Sequence, residues 1–111
     1  MLRINLKSSK RISNEQLHGT FFQIANDFGL DRCIYICTLP GIHPSDYIMK
    51  YDGQKNKIYC ADHLGFGCGY ICCFGQDELR PKLARKRVAE LVEQYKQLKL
   101  QKKLNEMNGD F

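Results

Sequence analysis

The sequence predicts an α+β fold: a mostly antiparallel sheet of four to five strands with two helices, in the order β-α-β-β-β-β-α, closing on a long C-terminal helix. Three observations carry this reading. Apolar residues recur with a helical period in two segments, one near each end. Between them lie short apolar runs separated by glycine, proline and aspartate, with no helical segment to cross them over, so neighbouring strands run antiparallel. The 111 residues, 43% hydrophobic and 26% charged, suit one core, and no repeat or linker divides residues 1–111.

In chain order, Leu2, Ile4 and Leu6 alternate with Arg3, Asn5 and Lys7, which is strand periodicity. Ser13 and Gln16 have the spacing of a capping box, so each can satisfy a backbone donor of the first helical turn. Leu17, Phe21, Ile24, Ala25 and Phe28 then share a face, and Gly29 suits the left-handed stop, giving a helix over 14–28. Arg32 to Leu39 is apolar and rich in β-branched residues, and it is expected to be one strand ended by Pro40-Gly41. Tyr47 to Tyr51 and Lys57 to Ala61 flank Asp52-Gly53 and read as a hairpin. Gly69 to Phe74 reads as a further strand, stopped by Gly75.

Asp77 is the expected N-cap of the final helix, about 78–107, with Pro81 in its first turn. Ala84, Val88, Leu91, Tyr95 and Leu98 form a narrow apolar seam, which shifts beyond Leu98 to Leu100, Leu104 and Met107. The last turns are therefore expected to project from the body or to pair with a partner, a second copy included.

Charge is unevenly placed. The net charge is +5, but Arg80 to Lys103 holds nine Lys or Arg against two Glu, a local +7 that leaves −2 elsewhere. Two acids among nine bases are too few for ion pairing along the helix. Arg80, Lys82, Arg85, Lys86, Arg87, Lys96 and Lys99 are therefore candidate contacts to nucleic acid or a nucleoprotein, with Arg85-Lys86-Arg87 the densest point. The leading expectation is a small non-enzymatic binding protein of this kind. The runner-up is a small protein-directed regulator or inhibitor, of a mobile-element or viral type, meeting an acidic protein surface. A solvated face that maintains solubility explains the same charges. A membrane surface fits poorly, since the seam lacks large aromatic anchors. No apolar run at the N-terminus is long enough for a signal peptide or a span, so the expected location is cytoplasmic.

Six cysteines without a signal peptide argue for free thiols rather than a disulfide scaffold. A zinc site needs four N or S ligands, with sulfurs within about 4 Å of each other. Residues i and i+4 of one strand stand roughly 13 Å apart, so Cys33 with Cys37, or Cys68 with Cys72, cannot share an ion if each pair lies on one strand. The remaining candidate set is Cys60, His63, Cys68 and Cys72, or its neighbour Cys73, around the 65–69 turn. The other reading is buried thiols behaving as small hydrophobes, with no cofactor. A thiol nucleophile at Cys60, activated by His63, is the corresponding enzymatic reading, but no third orienting group is identifiable.

The string Leu64-Gly65-Phe66-Gly67-Cys68-Gly69-Tyr70-Ile71 has glycines that would let the backbone approach a ligand or form a bulge. It lacks the lysine of a P-loop, and no helix follows it directly. Gly65-Phe66-Gly67 resembles the centre of the octapeptide of the RNA-recognition motif family. Asn5-Leu6 resembles the end of that family's hexapeptide, and residues 13–28 its first helix. The chain departs from the pattern with Leu64 in place of a basic residue and Cys68 in place of an aromatic one. The resemblance implies that Phe66 and Tyr70 stack on bases; the other reading makes them core or hairpin aromatics. Ile42-His43-Pro44, with the tyrosine-rich hairpin and His63, is faintly similar to the pterin carbinolamine dehydratases, although Ile42 stands where their paired histidine belongs.

Overall fold

A computed structural model describes residues 13–39, 42, 46–67 and 69–107. The expected strand over residues 2–6, and with it Asn5-Leu6, lies outside this range, as do Pro40-Gly41, His43-Pro44 and Cys68.

Helix α1 spans Asn14–Asp27. Its capping box forms as the spacing predicts: the Gln16 amide donates to Ser13 Oγ at 3.1 Å, and the Ser13 amide donates to Gln16 Oε1 at 3.2 Å. Leu17, Phe21, Ile24 and Ala25 are buried, and Gly29 takes the left-handed conformation at φ +65°. Strands β1 (Asp31–Cys33), β2 (Ile36–Thr38), β3 (Met49–Asp52) and β4 (Lys57–Cys60) follow. Next come β5 (His63–Gly67), β6 (Tyr70–Phe74), β7 (Asp77–Leu79) and helix α2 (Pro81–Met107).

The fold is α+β, with an antiparallel five-stranded sheet in the order β1-β2-β3-β4-β7 and a separate antiparallel pair, β5-β6. Period-two alternation is plain in the centre of the large sheet. Met49, Tyr51, Ile58 and Cys60 are buried, while Lys50, Asp52, Lys57 and Tyr59 between them are half-buried. Both helices pack against β4, and α2 also covers β7 and the β5-β6 pair. Ala84, Val88, Leu91 and Tyr95 carry α2's contribution to the core.

Two local expectations are corrected. The segment 32–39 is a hairpin, not one strand: Cys33 pairs with Ile36 across a two-residue turn, and Ile34 sits at φ +54°. An isoleucine in that region is sterically strained, so no residue preference announces the turn. Long-range packing holds it. The Tyr35 ring reaches His18 and Tyr51, the Arg32 guanidinium lies 4.0 Å from the Phe22 ring centre, and Cys37 is fully buried.

The second correction concerns Asp77, which is not a helix cap. Asp77–Leu79 is the edge strand of the large sheet, with Asp77 opposite Cys60 and Leu79 opposite Ile58, and the helix starts at Pro81. A strand adds a row of backbone hydrogen bonds to β4, which outweighs one side-chain cap. Beyond Leu98 the seam's residues are no longer buried: Leu100, Leu104 and Met107 are 55%, 45% and 73% exposed. Among the described residues no helix is long and apolar enough to cross a membrane.

Candidate functional site

Helix α2 has 27 residues and is therefore about 40 Å long. Its cations fall into different environments. Arg85 Nη1 donates to Asp27 Oδ2 at 2.7 Å, which ties α2 to the end of α1. Arg87 Nη1 donates to Asp77 Oδ2 at 2.8 Å and to the Ala61 carbonyl at 2.9 Å, and Arg87 Nε lies 3.9 Å from Glu90. Two of the three cations at the expected densest point thus bind the protein's own acceptors.

Arg80, Lys82, Lys86, Lys96 and Lys103 are exposed and form no ion pair with the described residues. On the helix wheel Lys82, Lys86, Lys96 and Lys103 fall within about 100° of arc, away from the core seam. Lys99 Nζ lies 5.1 Å from the Tyr95 ring centre, and Lys102 Nζ donates to the Gly69 carbonyl at 3.4 Å. The free cations form two groups, one at each end of the helix. About 15 Å separates Lys86 from Lys96, and Glu90 and Glu93 lie between them.

The glycine string has a structural explanation. A Cβ on Gly65 would stand 3.0 Å from the Phe74 ring, and one on Gly67 would stand 3.2 Å from Cys72 Sγ. The glycines make room for side chains of the partner strand, the usual role of an aromatic laid across a strand glycine. Phe66 pairs with Ile71 and Tyr70 with Gly67, so Phe66 and Tyr70 point to opposite faces of the hairpin. They are 43% and 47% exposed but do not build one stacking surface. Tyr70 shares its face instead with His63, whose ring stacks on Phe74 at 5.3 Å and 14°.

The Cys and His candidates are also dispersed. Cys60 is fully buried on β4, and burial pushes its thiol up to about 12, the opposite of what a nucleophile needs. His63 is exposed on β5, with Nδ1 2.8 Å from Asp62 Oδ2; this hydrogen bond holds the Asp62 carboxyl below its ordinary value. Cys72 is half-buried on β6, its Sγ 3.5 Å from the Gly67 carbonyl. Among the described residues no three or more His, Cys, Asp or Glu side chains are placed to hold a metal ion; Cys68 is outside that range.

One residue escaped the sequence reading. His18 lies in an aromatic cluster, with its ring 4.1 Å from Phe22 and 4.8 Å from Tyr51, and its Nε2 is buried without a hydrogen-bond partner among the described residues. Its place on the helical turn before Phe22 was the available sign. Tyr35 and Tyr51 join the cluster from the β1-β2 turn and from β3, which no local pattern brings there.

Compared with known proteins, the chain matches no family model, no curated protein and no solved structure.

Proposed function

We propose that this chain is a small non-enzymatic binding protein that engages nucleic acid or a nucleoprotein through its basic C-terminal helix, in the cytoplasm. One observation carries the reading: five exposed cations, Arg80, Lys82, Lys86, Lys96 and Lys103, lack a carboxylate partner among the described residues. Such a surface attracts polyanions with little sequence preference, by releasing counterions from phosphates. Arg85 and Arg87 act chiefly in the fold, since both are already paired.

The test is binding to labelled DNA and RNA across a salt series. The Lys82→Ala/Lys86→Ala and Lys96→Ala/Lys103→Ala variants leave both internal ion pairs intact. Each is expected to weaken binding and to reduce the salt slope by up to about 0.9 for every phosphate that is no longer neutralised. Wild-type affinity and slope in both variants would refute the reading.

A protein-directed regulator is the second reading, and the β1-β2 hairpin favours it. Ile34, Tyr35 and Ile36 are 70%, 49% and 36% exposed in a row at its tip. Contiguous exposed apolar residues mark protein contact surfaces. Recovery of a stoichiometric protein from nuclease-treated lysate, abolished by Ile34→Asn, is the result this reading expects.

A further inference from the structure

A groove of about 1040 Å³ opens between the N-terminal ends of the two helices and the β3-β4 turn. Leu79, Pro81 and the exposed Leu83 give it an apolar lining, over the buried Leu17 and Ile58. Among the described residues, four charged side chains line it as well. Lys57 is neutralised by Glu78, whose Oε2 lies 2.9 Å from its Nζ. Lys55 and Arg80 are exposed and have no ion-pair partner among the described residues. The two come from different elements, the β3-β4 turn and the residue before α2, so the groove carries a net positive charge supplied from two directions.

The lining selects among anionic ligands. The groove is about as large as the largest small-molecule pockets, which is too small to enclose a double helix. Among the described residues no aromatic side chain lines it, so they offer bases no stacking platform. Cations beside aliphatic surface suit a sugar–phosphate chain, with its alternation of charge and apolar sugar edge. Arg80 also leads directly into Lys82 and Lys86, the last about 9 Å further along α2.

We infer that this groove binds the sugar–phosphate backbone of a single-stranded nucleic-acid segment, with Lys55 and Arg80 on its phosphates. The inference rests on the nucleic-acid reading of the basic helix and adds the strandedness of the ligand and the point where it enters.

The test uses the full chain and fluorescence anisotropy. The probes are a labelled 12-nucleotide single strand, made as DNA and as RNA, and the DNA duplex of the same sequence. Lys55→Ala/Arg80→Ala is compared with Lys96→Ala/Lys103→Ala, and circular dichroism checks that both are folded. The groove variant is expected to bind either single strand about tenfold more weakly, with a salt slope smaller by about 1.4, and to lose much less affinity for the duplex. Restoration by Lys55→Arg/Arg80→Lys supports charge as the cause. If only the distal variant weakens single-strand binding, the groove inference is overturned and the helix reading stands. If the wild type binds neither form, both fall. If the groove variant loses affinity for a glutamate oligomer of equal charge by the same factor, an acidic peptide is the better occupant and the inference is overturned.

Discussion

Arg87 Nη1 lies 2.8 Å from Asp77 Oδ2, and this pair fastens the second turn of the last helix to the edge strand of the large sheet. The same nitrogen serves the Ala61 carbonyl just after β4. The Arg87 side chain is only 20% exposed, so its loss would leave Asp77 and Ala61 short of a donor in a partly dry site.

Arg87→Ala is therefore expected to lower the unfolding free energy by about 2 kcal/mol in a urea titration. Arg85→Ala removes a pair that is 42% and 46% exposed, and it should cost less than about 1 kcal/mol. Equal losses in the two variants would show that burial does not distinguish these arginines.

Gly19 and Gly75 should respond oppositely to alanine. Gly19 lies inside α1 with no described residue within 4 Å of the added methyl, so Gly19→Ala should stabilise by about 0.5–1 kcal/mol through helix propensity. Gly75 sits at φ +75°, and a Cβ there would meet Asp62 Cβ at 2.8 Å. Gly75→Ala should destabilise by about 2 kcal/mol, combining left-handed strain with a clash. Thermal melts of the two variants that shift the same way would contradict this.

Ile34 combines φ +54° with 70% exposure, so it is strained and gives up little packing when replaced. Asparagine tolerates that conformation, and Ile34→Asn should stabilise the free chain by about 1 kcal/mol. A fall in melting temperature would instead show that the isoleucine packs within the fold.

Burial pushes the thiols of Cys37, Cys60 and Cys73 up to about 12 from an ordinary 9.0. Folding therefore favours the protonated thiols. The folded-state pKa is the higher one, so this contribution is complete below pH 9 and diminishes as pH rises from about 9 towards 12. The urea midpoint should hold steady near neutrality and decline above about pH 9. Alkylation of the native chain at pH 8, read by peptide mapping, should label the exposed Cys33 well ahead of these three. Rapid native labelling of Cys37 or Cys60 would show that the sheet opens easily.

Much of the fold was legible because its signals are local. The Ser13–Gln16 box, the Leu17-Phe21-Ile24 face and the Ala84-Val88-Leu91-Tyr95 seam each depend on residues within a few turns of each other. The turn at Ile34 was not legible, because the residue there disfavours the conformation and the packing of Tyr35 against His18 and Tyr51 holds it. Nor was the strand at Asp77–Leu79. Those three residues also suit a helix start, and only pairing with β4 decides between the two.

By itself the sequence determined the fold class, both helices and the concentration of positive charge on the second. Periodicity, caps and composition act over neighbouring residues. Only the tertiary structure decided which of those charges face solvent. Asp27 lies 58 positions from Arg85, and no spacing rule reaches so far. It likewise turned Phe66 and Tyr70 to opposite faces and brought Lys55 and Arg80 to the lining of one groove. Strand register and helix docking are settled by the burial of the whole core, which chain neighbours do not encode.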